Sequence, residues 1–384
     1  MIYYITTHML VSVLFAKAYG GTSGDEAYSI VQTTDGGYAV AAYTYSFGAG
    51  SYDFLVLKLN SSGGLDWART FGGTDWDWAY SMVQTTDGGY AVAGYTGSFG
   101  AGDYDFLVLK LNSSGGLEWA RTFGGTGWDG AYSMVQTTDG GFAVAGRTES
   151  FGAGGYDLLV LKLNSSGDLQ WARTFGGTDW DWAYSIVQTT DGGYAVAGYT
   201  RSFGAGDYDF LVLKLNSSGG LDWARTFGGT GWDEARSIVQ TSDGGYAVAG
   251  YARSFGAGGY DLMVLKLNSS GGLDWARTFG GTNYDYAYSI TQTTDGGYAV
   301  AGKTKSFGAG DYDFLVLKLN SSGGLQWART FGGTDWDEAR SIVQTSDGGY
   351  AVAGYAGSFG AGSGDFLVLK LGPDGSYPGC AEDC

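Results

Sequence analysis

Two aspartates recur along this chain at a constant spacing. One set is Asp25, Asp77, Asp129, Asp181, Asp233, Asp285 and Asp337; the other is Asp53, Asp105, Asp157, Asp209, Asp261, Asp313 and Asp365. Loop carboxylates are oxygen ligands of the kind Ca²⁺ takes, provided six or more oxygens converge. Residues this regular also serve to cap the N–H groups of turns. Both roles stand open, and Ca²⁺ is the one cofactor the residues suggest.

Beside six members of the first set lies a large ring: Trp76, Trp128, Trp180, Trp232, Tyr284 and Trp336. A ring next to a carboxylate can stack on a sugar and accept its hydroxyls, and six copies would bind multivalently. The candidate ligand-binding residues are therefore Trp76 with Asp77, Trp128 with Asp129, Trp180 with Asp181, Trp232 with Asp233, Tyr284 with Asp285, and Trp336 with Asp337. Packing of these rings between repeats is the competing use of large aromatics.

Catalysis finds less support. The single histidine, His8, lies outside the repeats, so a Ser, His and Asp set has no base and a zinc site no imidazoles. The glycines of SFGAG open no helix that could cradle phosphate. Glycosidases use two acids in different environments, and Asp75 with Asp77, Asp103 with Asp105, Asp179 with Asp181 or Asp335 with Asp337 could supply a pair. Each acid has near-copies in the neighbouring repeats, so no catalytic residue is assigned and the chain is expected not to be an enzyme.

The elements that must position these residues follow from the period. DGG plus an aromatic begins at Asp35, Asp87, Asp139, Asp191, Asp243, Asp295 and Asp347, always 52 residues apart. Within the first unit, AYSIVQT (27–33) reads as strand A and YAVAAYT (38–44) as strand B, joined by the Asp35-Gly36 hairpin signal. DFLVLKL (53–59) reads as strand C, apolar throughout as a strand covered on both faces should be. LDWART (65–70) reads as strand D. Four antiparallel strands per unit, seven times over, predict an all-β fold, a seven-bladed β-propeller. Trp67, Trp119, Trp171, Trp223, Trp275 and Trp327 on strand D are expected between blades.

The ends fit a closed ring. Shifted by one period, LDWARTFGG at 65–73 falls on VLFAKAYGG at 13–21, whereas the seventh unit stops after strand C. A strand at 13–19 should complete the last blade, giving one propeller over 13–371, an extension or signal remnant at 1–12 and a tail at 372–384. Ala16-Lys17-Ala18 after an apolar run also resembles a signal cleavage site, although cutting there would remove the closing strand. In the tail, Cys380 and Cys384 are spaced for a small disulfide loop of an oxidising compartment.

The units, DGGYAVAGYT through SFGAG and YDFLVLKLNSSGG to WARTFGGT, resemble a family of repeat propellers of secreted and cell-surface proteins of archaea and some bacteria. That resemblance covers nearly the whole chain. It implies an extracellular or cell-surface location and little about chemistry.

Hairpin turns TTDGG and NSSGG should share one face, and the TDWDW and SFGAG loops the other. The turns hardly vary between copies, whereas the loops do, including Tyr43, Tyr45, Arg147, Glu149, Tyr199, Arg201, Lys303 and Lys305. Each NSS at Asn60, Asn112, Asn164, Asn216, Asn268 and Asn320 is a formal glycosylation sequon, and Asn also suits the turn itself. A net charge of -18 disfavours nucleic acid as a partner, and no run is long and apolar enough to span a bilayer. The expected function is a non-catalytic binding module for surface glycans or proteins. A self-associating scaffold is the alternative, and a carbohydrate-active enzyme the third.

Overall fold

The computed structural model describes residues 14–360 and 364–377. Blade 1 is a meander of β2 (Asp25–Gln32), β3 (Tyr38–Thr44), β4 (Asp53–Leu59) and β5 (Leu65–Phe71), each paired antiparallel to the next. Blades 2 to 6 repeat it, beginning at Asp77, Asp129, Asp181, Asp233 and Asp285. Blade 7 takes β26 (Asp337–Gln344), β27 (Tyr350–Ala356) and β28 (Asp365–Leu371) from the end of the chain and its outer strand, β1 (Phe15–Tyr19), from the beginning. Phe15 faces Lys370 and Tyr19 faces Phe366 in an unbroken antiparallel register. This is the seven-bladed propeller with the closing strand that the repeat register predicts. Residues 1–13, with His8 and the signal-like run, and residues 378–384, with Cys380 and Cys384, lie outside the described residues.

The cores lie between blades rather than within them. Ala39, Ala41, Phe54 and Val56 of blade 1 meet Ala79, Met82, Tyr90, Val92, Leu107 and Leu109 of blade 2, while Tyr38, Val40, Leu55 and Leu57 face blade 7. Alternate residues of one strand thus enter two different cores, which is why strand C carries no polar stripe. Burying a ring such as Phe54 contributes about 1.5–3 kcal/mol, and every blade boundary fills the position, with Leu158 and Leu262 replacing the ring in two of them. Strand D supplies the outer edge: Trp67 lies edge-on to Tyr90 of the next blade at 5.6 Å, and Arg69 donates to Ser114 O at 3.3 Å. The strand D tryptophans therefore sit between blades, as expected.

Two belts of hydrogen bonds circle the ring. In every blade the strand A serine accepts an N–H from the next blade, from Met82 N to Ser29 Oγ around to Ile30 N to Ser341 Oγ, all at 3.0–3.2 Å. Nearer the turns, each strand A glutamine accepts from the preceding blade's hairpin, as Thr34 N does to Gln84 Oε1, at 2.8–3.0 Å.

The two hairpins share a face, as the topology requires. Lys58 Nζ, on a buried side chain, reaches Asp35 Oδ2 at 2.8 Å and Leu59 O at 2.9 Å, so the strand C lysine ties the TTDGG turn to NSSGG. Gly36 holds φ +83 in that turn, a conformation costly for any other residue. Asn60 Oδ1 accepts from Ser62 N and Gly64 N at 3.0 and 2.8 Å. The same side-chain oxygen closes the turn at Asn112, Asn164, Asn216, Asn268 and Asn320. Turn chemistry thus accounts for each of these asparagines.

Candidate functional site

The loop face carries the candidate residues, and the structure separates the two halves of each pair. Trp76, Trp128, Trp180, Trp232, Tyr284 and Trp336 are 38–44% exposed. Each leans on a tyrosine of the preceding blade while keeping a surface to solvent: Trp76 on Tyr52 at 5.8 Å, Trp128 on Tyr104 at 4.6 Å, Trp232 stacked on Tyr208 at 4.4 Å, Trp336 on Tyr312 at 4.7 Å.

The aspartates expected beside them are not loop residues. Asp77, Asp129, Asp181, Asp233, Asp285 and Asp337 are the first residues of their inner strands, two earlier than the strand A expected from the hydrophobic pattern, and are buried. Asp77 Oδ2 accepts from Gly73 N at 2.8 Å and Ser98 Oγ at 2.7 Å, joining the two loops of the face. Blades 3 to 6 repeat both contacts, and Asp337 accepts from Gly333 N at 2.9 Å. Successive residues of a strand point to opposite sides, so a carboxylate that caps from within cannot sit beside its exposed ring.

The second aspartate set caps too. Asp53 Oδ2 accepts from Ala49 N at 2.8 Å, and burial raises its pKa and those of Asp105, Asp157, Asp209 and Asp261, and that of Asp313 to about 6. Asp53 and Asp77 converge on Gly72, where an added Cβ would run into a carboxylate oxygen of each. Two carboxylates thus meet at this junction, and each commits one oxygen to donors of the loops. Among the described residues no three His, Cys, Asp or Glu side chains gather as a metal site.

Two features of the face escaped the sequence reading. A β-bulge between Ala27 and Ser29, repeated in every blade, leaves one residue per inner strand unpaired. Those residues are Tyr28, Tyr80, Tyr132, Tyr184, Arg236, Tyr288 and Arg340, and they ring a central cavity of about 290 Å³ with Trp182. The signal was present in the substitution of arginine for tyrosine in two of seven copies.

The second feature is asymmetry. At the mouth, strand B of one blade meets the second residue of the next blade's strand A: Tyr43 stacks on Trp78 at 4.6 Å, and Lys303 reaches Glu338. That second residue is Glu26, Trp78, Gly130, Trp182, Glu234, Tyr286 or Glu338. The mouth is also where cations gather. Apart from Lys17, the strand C lysines and the strand D arginines, every cation lies on this face: Arg147, Arg201, Arg236, Arg253, Lys303, Lys305 and Arg340.

Blades 7 and 1 meet differently from the rest. Gly24 and Gly364 stand where the other junctions carry the exposed ring and its tyrosine, and a cavity of about 630 Å³ opens there. Glu26, Glu338, Arg340, Tyr43 and Tyr45 are among its lining residues. Arg340 Nε lies 2.9 Å from Glu26 Oε1 and its guanidinium also pairs with Glu338. Tyr43 OH donates to Glu26 Oε2 at 2.6 Å, and Trp336 Nε1 to Glu338 Oε2 at 3.0 Å. Burial pushes Glu26 upward in pKa, whereas at Glu338 Arg340 and Lys303 outweigh burial and hold the carboxyl low.

No family model matches the chain. It is 30% identical over 250 residues to the regulatory protein FlaEY of Caulobacter vibrioides, covering 60% of this chain. It spans 24% of that relative's length. Among solved structures it resembles the Pan2 WD40 domain of Neurospora crassa, at 12% identity and TM-score 0.52 over 95% of this chain and 98% of that one. Sqt1 of Chaetomium thermophilum (12%, TM-score 0.50, 93% and 99%) and a putative 6-phosphogluconolactonase of Bacteroides fragilis (11%, TM-score 0.51, 94% of each) are similar. At these identities the likeness is one of fold.

Proposed function

We propose that the chain is an extracellular or cell-surface, non-catalytic binding module that recognises glycans through its loop face. One observation carries this reading: six large rings stand half-exposed around that face, each held by a tyrosine of the neighbouring blade. A ring fixed by its neighbour with a surface left to solvent offers apolar area at little entropic cost, as sugar stacking requires. Polar partners for sugar hydroxyls would come from backbone groups and mouth residues rather than from the capped aspartates.

The commitment of the seam carboxylates supports the non-catalytic part. Glu26 is held by Arg340 and Tyr43, and Glu338 by Lys303, Trp336 and Arg340. A general acid or nucleophile must be able to meet the glycosidic bond, and both glutamates are buried.

The test is a glycan array with wild type and the triple variant Trp76→Ala, Trp128→Ala, Trp180→Ala. Binding that the variant loses supports the reading. Absence of binding to any glycan by wild type, together with polymer formation, would favour a self-associating scaffold. That second reading draws on apolar grooves of roughly 500 Å³ between blades at the perimeter, lined in one case by Phe71, Phe99, Leu107 and Leu117.

A further inference from the structure

Among the mouth cations that are not exposed, Arg147 is placed unlike Lys303, Arg236 and Arg340. Lys303, its counterpart in blade 6, has Glu338 of the next blade at 2.7 Å; Arg236 has Glu234 at 2.7 Å; and Arg340 has Glu26 and Glu338. Where Lys303 finds Glu338, Arg147 finds Trp182, with its guanidinium 3.8 Å from the ring centroid and 4.7 Å from the ring of Tyr156. Its side chain makes no hydrogen bond or ion pair among the described residues. The guanidinium therefore keeps its donors in the fork that fits a carboxylate or sulfate.

Two further observations point to the same place. Trp182 Nε1 is buried with no hydrogen-bond partner among the described residues, adding a second unmet donor. Across the strand pair Arg147 faces Gly130, where the other blades carry Glu, Trp or Tyr. A Cβ there would already come within 3.3 Å of Tyr95, so a larger side chain would fill the space beside the guanidinium. The nearby acids are engaged at the rim: Glu149 accepts from Trp128 N at 3.1 Å and Asp103 from Trp128 Nε1 at 3.2 Å. The net charge of -18 does not oppose this, because charges beyond about 8 Å are largely screened at physiological salt.

We propose that the blade 3 to blade 4 sector of the mouth is a subsite for an acidic sugar, with Arg147 taking its carboxylate or sulfate and Trp182 Nε1 donating to a further oxygen. The proposal rests on the glycan-binding reading and names the class of glycan. Neighbouring Tyr132 and Tyr156 give the sugar ring apolar surface.

The experiment is calorimetric titration of the full chain with three oligosaccharides of matched length: an oligogalacturonate, a sulfated galactan fragment and a neutral galactan fragment. Wild type should bind at least one acidic probe about tenfold or more tighter than the neutral one, the scale of a charge-assisted pair. Which acidic probe is preferred separates carboxylate from sulfate. Arg147→Tyr installs the residue found at this position in five other blades, so the fold should be retained. It should erase the preference by bringing the acidic probe down to the affinity of the neutral one. Trp182→Glu gives Arg147 an internal carboxylate, in the manner of Lys303 and Glu338, and should erase the preference as well. Equal affinity for acidic and neutral probes, or a preference that survives in Arg147→Tyr, overturns the proposal and leaves glycan binding standing. No binding of any probe overturns the proposal, and the glycan array then decides the reading it rests on.

Discussion

Lys303 of blade 6 and Glu338 of blade 7 meet across the channel mouth, Nζ to Oε2 at 2.7 Å, with both side chains buried. Arg340 and Trp336 share the same carboxylate, so one glutamate contacts two cations and accepts from an indole, with Glu26 as the second carboxylate on Arg340.

Removing that glutamate should therefore cost more than removing the lysine. Breaking a buried pair from one side costs about 3–5 kcal/mol, because the partner charge is left unpaired. Glu338→Gln is expected near the lower bound in chemical denaturation, since Glu26 still faces Arg340. Lys303→Tyr, with Arg340 retained, should cost roughly half as much. The reverse ranking would show that the carboxylate is not the hub.

The two tryptophan classes should respond oppositely. Trp119→Ala removes a ring wedged against Phe142 of the next blade and is expected to destabilise by about 2–3 kcal/mol, somewhat below a fully buried tryptophan. Trp128→Ala, on the exposed face, should cost about 1 kcal/mol or less but diminish glycan binding. Denaturation and array binding of both variants read the contrast.

Ring closure is also measurable. A chain starting at Gly20 lacks β1 and leaves β28 as an open edge beside an uncovered core that Phe15 would fill. Such a chain should melt well below the full protein and associate, as seen by light scattering. An unchanged melting temperature in a monomeric truncation would mean that the seam contributes nothing.

Stability should pass through a maximum near pH 4. Asp35, Asp87, Asp139, Asp191, Asp243 and Asp295 are held at about 2: burial is outweighed by the strand C lysines, the turn threonines and backbone N–H groups, with Thr241 the largest influence at Asp243. Unfolded, they would titrate at about 3.9, so between there and pH 2 the unfolded chain binds more protons and stability falls with acid. Asp313 is the opposite case. Raised by burial to about 6, it keeps its proton in the folded state between about pH 4 and 6 while the unfolded chain loses it, so stability falls as pH rises. Thermal melts across pH 2–8 should show both slopes, and Asp313→Asn should flatten the upper one. A steady rise from pH 4 to 7 would contradict the assignment.

Blade number, strand order and ring closure were legible because each is a pattern along the chain. The 52-residue period counts the blades, the apolar runs mark the strands, and the match of 65–73 to 13–21 identifies the closing strand. Exposure of the loop rings was not legible, because Trp67 and Trp76 are alike in chemistry and differ only in what lies across the blade boundary. Asp77 was misplaced for a related reason. A polar residue before an apolar run reads as loop, yet it pairs with Thr96 in the sheet.

The sequence by itself determined the repeat, the fold and the closed ring, since local periodicity and turn chemistry are properties of neighbours along the chain. Only the tertiary structure decided the site. Arg147 and Trp182 are 35 positions apart, and an unpaired guanidinium over an unpaired indole exists only when blades 3 and 4 are set side by side. The repeat makes each junction alike, and the few side chains that break it acquire meaning from the neighbour they meet across the junction.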